Sequence, residues 1–192
     1  MTDLTQLAVL TATGGWGDSH GWPIHEVFDY SSWGSSASVH PVPRPRDPSV
    51  LLTAVEQVRA LPDGVDAVVS LCRLGTAEAP AVGVGPEDDV KVWLIDKPDL
   101  DLNPHLDCVI GDTSRAVANL RAEGRAVLLH CVGAKSRTPN AAVAYAMAIS
   151  DVRPDDALAE IEAVLHTAYP NPEFQRALQR LHDSGELRRA SA

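Results

Sequence analysis

RAVLLHCVGAKSRTPNAAVAYAM, residues 125–147, decides how this chain is read. RAVLLH (125–130) is a short apolar run, the pattern of a strand buried on both faces. CVGAKSR (131–137) breaks it with small and polar residues, and TPNAAVAYAMAI (138–149) continues as a helix with Pro139 near its start. Strand, tight loop and helix in this order can aim successive backbone N–H groups into one cradle, from Val132 through Gly133, Ala134, Lys135 and Ser136 to Arg137. The helix N-terminus adds unsatisfied N–H groups and the positive end of its dipole. The oxygens of a phosphate or sulfate match that arrangement.

Cys131 opens the loop, where the same positive field favours its thiolate, the nucleophilic form of the side chain. Five residues separate it from Arg137, whose planar fork can hold two phosphoryl oxygens. Thiolate attack on phosphorus followed by hydrolysis of a cysteinyl-phosphate is the chemistry this pair suits, with loop amides and Arg137 stabilising the equatorial charge. No metal is required by such a reaction. The departing oxygen needs a proton, and an aspartate just past a neighbouring strand would share the sheet end with Cys131. Asp96, directly after VKVWLI (90–95), fits best, with Asp99 and Asp101 in the same loop as alternatives. Thr138 is a donor for the Cys131 sulfur or a helix cap. Strand alternation turns His130 away from Cys131, so it is expected to brace the loop by hydrogen bonding. Lys135 faces either an anionic substrate or water.

Outward from this segment, VDAVVSLC (65–72) and VKVWLI (90–95) read as further strands. SVLLTAVEQVRAL (49–61) has helical spacing with Asp47 and Ser49 as caps, and 106–124 reads as a helix ended by Gly124 with Cys108 in its core. Two amphipathic helices are expected over 153–169, capped by Asp155 or Asp156, and over 171–185. The fold class is α/β, a sheet flanked by helices. Residues 1–48 are set apart as a loop-rich segment packed on a domain of residues 49–187, pinned by Trp16, Trp22 and Trp33.

A formal net charge of −10 argues against a general nucleic-acid-binding surface, although one pocket can still concentrate donors. Neither a signal peptide nor an apolar run long enough for a bilayer is evident, so no membrane anchor is expected. Three cysteines, Cys72, Cys108 and Cys131, make no disulfide framework, which points to a reducing cytoplasm. His20, His25 and Asp29 lie close in sequence without forming a metal motif. No cofactor is implied. The expected partner is a phosphorylated protein or a small phosphomonoester.

His130-Cys131 followed by Ser136-Arg137-Thr138-Pro139 resembles the signature of the protein tyrosine phosphatase superfamily, specifically its dual-specificity-like members. The resemblance extends over residues 50–180: 65–72 looks like a core strand, 90–106 like the general-acid strand and loop, and Pro170-Asn171 with Phe174 like the lead-in to the last helix. It implies a mostly parallel sheet of about four or five strands, with Cys131 as nucleophile, Arg137 as phosphate ligand, Thr138 as the hydroxyl residue and Asp96 as acid. One position departs, since the family's glycine falls on Ala134 and this chain has Gly133 one place earlier. If the backbone needs positive φ there, Ala134 bears a cost or Gly133 takes over the strain. The resemblance also implies that Cys72 can form a protective disulfide with the nucleophile on oxidation; a packed core thiol is the plainer role. A catalytically weak phospho-binding module of the same fold and a rhodanese-like sulfurtransferase are the competing functions.

Overall fold

The computed structural model describes residues 39–72, 81 and 83–189. The tryptophans 16, 22 and 33 and the group His20, His25 and Asp29 lie outside the described residues. Among the described residues five strands form one sheet: β1 (Val42–Arg44), β2 (Asp47–Ala54), β3 (Ala67–Ser70), β4 (Asp89–Lys91) and β5 (Val127–Cys131). Their order is β1-β2-β5-β3-β4, with β1 antiparallel to β2 and every other pairing parallel. The helices are α1 (Leu106–Ala122), α2 (Arg137–Ile149), α3 (Pro154–Val164), α4 (Pro172–Ser184) and the short α5 (Glu186–Arg189).

The central strand explains itself. β5 is paired on both sides and covered on both faces, so every residue from Val127 to Cys131 is buried and the run needs no polar alternation. Val127, Leu129 and Cys131 face the large core built by α1, α2, α3 and α4, with Phe174, Leu178 and Ile161 among its members. Leu128 turns to a much smaller cluster with Val58, Val68 and Ala81. The helices therefore stack on one face. The other carries a 3₁₀ turn (Val55–Arg59) and loop residues such as Leu61 and Val84.

Residues 49–61 are not a helix. Val50, Leu52 and Ala54 point into the large core while Leu51 faces the small one, the period of a strand, and only Val55–Arg59 coils. Apolar residues at 50, 51, 54, 55 and 58 satisfy both periods, and pairing with β5 over Val50–Ala54 decides for the strand. Asp47 and Ser49 accordingly cap no helix. Asp47 Oδ2 accepts from Arg121 Nε at 2.8 Å and from the Tyr145 hydroxyl at 2.9 Å, tying the β1–β2 hairpin to α1 and α2. Residues 42–48, grouped above with the N-terminal segment, thus form β1 and the start of β2.

VKVWLI also changes: β4 pairs only over Asp89–Lys91, and the chain beyond it is held to β3 by the bond from Val92 N to Ser70 O. α1 matches its expected span, with Gly124 at φ 82° just past its end, but Cys108 is exposed on it rather than in the core. α3 is shorter than expected. Pro154 occupies its first turn with Arg153 at the cap position, and it ends at Val164; it could not reach Tyr169, whose N bonds the loop carbonyl of Lys135 and which precedes Pro170. Among the described residues no helix is long and apolar enough to cross a membrane.

Candidate active site

The 131–137 loop leaves the C-terminal end of β5 with its flanks already fastened. Ala54 is the register partner of Cys131, Val55 N donates to Val132 O at 3.3 Å, and Leu71 N donates to His130 O at 2.9 Å. Three further carbonyls of the loop are engaged. Thr167 Oγ1 donates to Ala134 O at 3.2 Å, Tyr169 N to Lys135 O at 2.6 Å, and Asn140 N to Ser136 O at 3.2 Å. Among the described residues, no hydrogen bond is donated by the backbone N–H groups of Val132 through Ser136. A loop with four carbonyls bonded to protein while its amides are not is suited to receive an anion.

Ala134 sits at φ 51°, the one non-glycine residue with positive φ among the described residues, and it is fully buried. Gly133 does not have positive φ, and a Cβ there would meet nothing within 4 Å. The strain therefore stays at the departing position and is not shifted to its neighbour. A left-handed alanine costs on the order of 1 kcal/mol; burial and the Thr167 bond to its carbonyl hold it in place.

Arg137 is mostly buried, and Nη1 donates to two main-chain carbonyls, Leu71 O at 3.2 Å and Leu94 O at 3.3 Å. Both carbonyls follow the ends of the neighbouring strands β3 and β4, so the sheet itself aims the guanidinium. Its Nε lies 3.8 Å from Asp96 Oδ2. Asp96 Oδ1 accepts from Ser136 Oγ at 2.7 Å and from Asn171 Nδ2 at 2.9 Å. Of the three aspartates considered, Asp96 is the one the structure brings to the loop. Asp99 instead accepts from Asp101 N at 2.9 Å, on the exposed side of the loop closed by Asn103, whose amide pairs both ways with the Ile95 backbone.

His130 is fully buried, with Nε2 2.8 Å from Ser70 Oγ across the β5–β3 pairing. Its side chain lies on the face opposite Cys131, and burial lowers its pKa to about 4, keeping the imidazole neutral. Thr138 is also fully buried, and its hydroxyl lies 3.5 Å from Thr53 O. Cys131 is 1 % exposed. Cys72 is buried within electrostatic reach of Cys131 and Arg137; desolvation first, then the neighbouring sulfur, push its thiol up to about 12, so it stays protonated. Lys135 is exposed and lies 6.0 Å from the centroid of the exposed Tyr169 ring. No cluster of three or more metal-ligating side chains occurs among the described residues.

Asn171 was not foreseen as a site residue. Its helix-capping role is legible in Asn-Pro at 171–172, but its reach to Asp96 has no local signal. The carbonyls of Leu71 and Leu94 were equally invisible, since any residue supplies one.

No family model matches the chain. It is 32% identical over 84 residues to dual specificity protein phosphatase 22 of Mus musculus, covering 44% of each protein. It is 31% identical over 120 residues to dual specificity protein phosphatase 12 of Homo sapiens, covering 60% of this chain and 33% of that one. The chain thus spans less than half the length of these curated relatives. The crystal structure of human DUSP28 matches with a TM-score of 0.61 at 24% identity, over 72% of this chain and 94% of that one. The sequence is thus similar to dual-specificity phosphatases over part of its length, and the fold is the one seen in human DUSP28.

Proposed function

We propose that this chain is a phosphomonoester hydrolase of the dual-specificity type, working through a cysteinyl-phosphate without a metal. The observation that carries the reading is the cradle: amides from Val132 to Ser136 without acceptors among the described residues, beside a buried Cys131 and an Arg137 braced by two carbonyls. Phosphate binds with its oxygens on those amides and on the guanidinium, which brings phosphorus onto the Cys131 sulfur. The thiolate forms the S–P bond as the P–O bond to the leaving group breaks, and Asp96 delivers its proton to the departing oxygen. A water then attacks phosphorus, Asp96 takes the water's proton, and the S–P bond breaks to release inorganic phosphate and regenerate the thiolate. Thr138 supports the thiolate from the first turn of α2. His130, hydrogen-bonded to Ser70 and neutral, braces the strand end and does not act as a base.

The names of the relatives bring phosphorylated proteins as the substrate class, with small phosphomonoesters as the simplest probes. A thiolate nucleophile suits a reducing, cytoplasmic setting. The strained Ala134 favours one second reading, a phospho-binding module with slow turnover. Hydrolysis of an aryl phosphate, measured against pH in the presence of a chelator, separates the two. Wild type turns over, Cys131→Ser loses at least about a thousandfold, and Asp96→Asn loses about a hundredfold or more. A folded wild type that binds a phosphopeptide but turns nothing over would replace the hydrolase by the binding module.

A further inference from the structure

Among the described residues, the large hydrophobic side chains left exposed are Trp93, Leu100, Leu102, Ile149 and Tyr169. Four of the five belong to segments that border the cradle, and Ile149, at the end of α2, is the exception. Tyr169 is 70 % exposed, and its backbone N is bonded to Lys135 O, so it stands beside the 131–137 loop. Leu100, 48 % exposed, and Leu102 lie in the loop that begins with Asp96. Trp93 adjoins Leu94, whose carbonyl receives Arg137. The turn that presents the leucines is ordered by its own backbone: Leu102 N donates to Asp99 O at 3.3 Å and Asn103 N to Leu100 O at 3.0 Å. Exposed apolar area gathered at one place marks a contact surface, whereas the same residues scattered singly would mark nothing.

We infer that this rim selects the substrate by apolar contact: the ligand is a phosphorylated peptide with apolar side chains on both flanks of the phosphorylated residue, seated on Tyr169 at one side of the cradle and on Leu100 and Leu102 at the other. This rests on the reading of the cradle as a phosphate site. Charge decides which flanks are refused. Around the leucines the exposed loop carries Asp96, Lys97, Asp99 and Asp101. Across from them stands Lys135, 6.0 Å from the centroid of the Tyr169 ring. With Arg137 committed to the phosphate, the rim's carboxylates outnumber its lysines, so an acidic flank meets net repulsion where a leucine gains burial. The same balance disfavours an anionic lipid surface, since the rim has no cluster of basic residues and the chain's net charge is −10. A peptide, by contrast, brings side chains of a size to cover single leucines and a ring.

The experiment titrates full-length Cys131→Ser protein with phosphotyrosine peptides that differ only in the flanking residues, Leu, Ala, Lys or Glu. Binding is read rather than turnover, so the result does not depend on hydrolysis. The titrations are repeated with Leu100→Ser/Leu102→Ser and with Tyr169→Ser added to that background. Serine at exposed positions leaves the fold intact, which thermal melts check. The Leu-flanked peptide is expected to bind about tenfold more tightly than the Ala-flanked one and about thirtyfold more tightly than the Glu-flanked one. Each serine variant should shrink the Leu-to-Glu ratio to about a third or less of its starting value. Equal binding of all peptides, tighter binding of the Glu-flanked one, or a leucine preference that survives both serine variants overturns the inference while the phosphate cradle stands. An unphosphorylated Leu-flanked peptide that binds as well as its phosphorylated form overturns the cradle reading and the inference with it. Two further arms test other occupants: phosphatidylcholine vesicles carrying a phosphoinositide, and sedimentation of the protein alone. Vesicle binding or self-association that Leu100→Ser/Leu102→Ser abolishes, without discrimination among the peptides, assigns the rim to a lipid surface or a second copy and overturns the inference. Should Tyr169→Ser not fold, the leucine pair carries the same test.

Discussion

The loop 131–137 and the loop 96–103 face each other across the Ser136–Asp96 hydrogen bond, and they are held by different means. The first is fastened through its backbone. Four of its carbonyls are engaged, by Val55, by Thr167 and Tyr169 and by Asn140, and Cys131, Ala134 and Ser136 are buried. The second is exposed from 96 to 102 and is pinned by a few side chains, Asn103 on Ile95 at its neck and Ser136 and Asn171 on Asp96. A backbone-held loop tolerates changes of side-chain chemistry only where its volume is unchanged. A loop held by side-chain clips tolerates almost any change that spares the clips.

Ala134→Val tests the first loop hardest. A β-branched side chain at φ 51° in a fully buried site combines backbone strain with overpacking, and should destabilise by about 4 kcal/mol in chemical denaturation. Ala134→Gly, which relieves the strain but gives up a buried methyl and adds chain entropy, should stay within about 1 kcal/mol of wild type. Similar losses in both variants would mean that the loop is not held by its backbone. Next is His130, beneath the loop. Its imidazole takes a proton near pH 6.5 when unfolded and only near 4 when folded, so the unfolded chain binds the extra proton between those values. That stability is fully present above pH 6.5 and is lost as pH falls toward 4, about 3 kcal/mol in all. His130→Asn should flatten the dependence of unfolding free energy on pH over that window. The smallest effect belongs to the second loop: Leu102, 47 % exposed, should accept serine within about 0.5 kcal/mol, with a Tm shift of at most a few degrees. A large loss there would show that the 96–103 loop is packed rather than clipped.

The same contrast explains what the sequence discloses. The 125–149 segment is legible because strand, loop and helix follow one another locally and each has its own pattern. β2 is not, since Val50, Leu51, Ala54 and Val55 fit a helix as well as a strand, and the deciding partner, β5, lies more than 70 residues away. Cys131, Arg137 and Asp96 can be named from spacing. The groups that aim them, the carbonyls of Leu71 and Leu94 and the amide of Asn171, come from distant segments. Ala134 is intermediate: its residue type raises the question of positive φ, and the backbone angle answers it.

The strand order β1-β2-β5-β3-β4 has a consequence for a chain emerging from the ribosome. The last strand made is the one in the middle. Until residue 131 has been synthesised, β2 and β3 each present an open edge, and neither can pair with the other. A nascent chain ending before that point holds two half-sheets with apolar faces and no keystone, a form prone to association. Insertion of β5 closes the sheet and delivers the Cys131 loop in the same step, so the proposed nucleophile is positioned only once the domain around it has been joined.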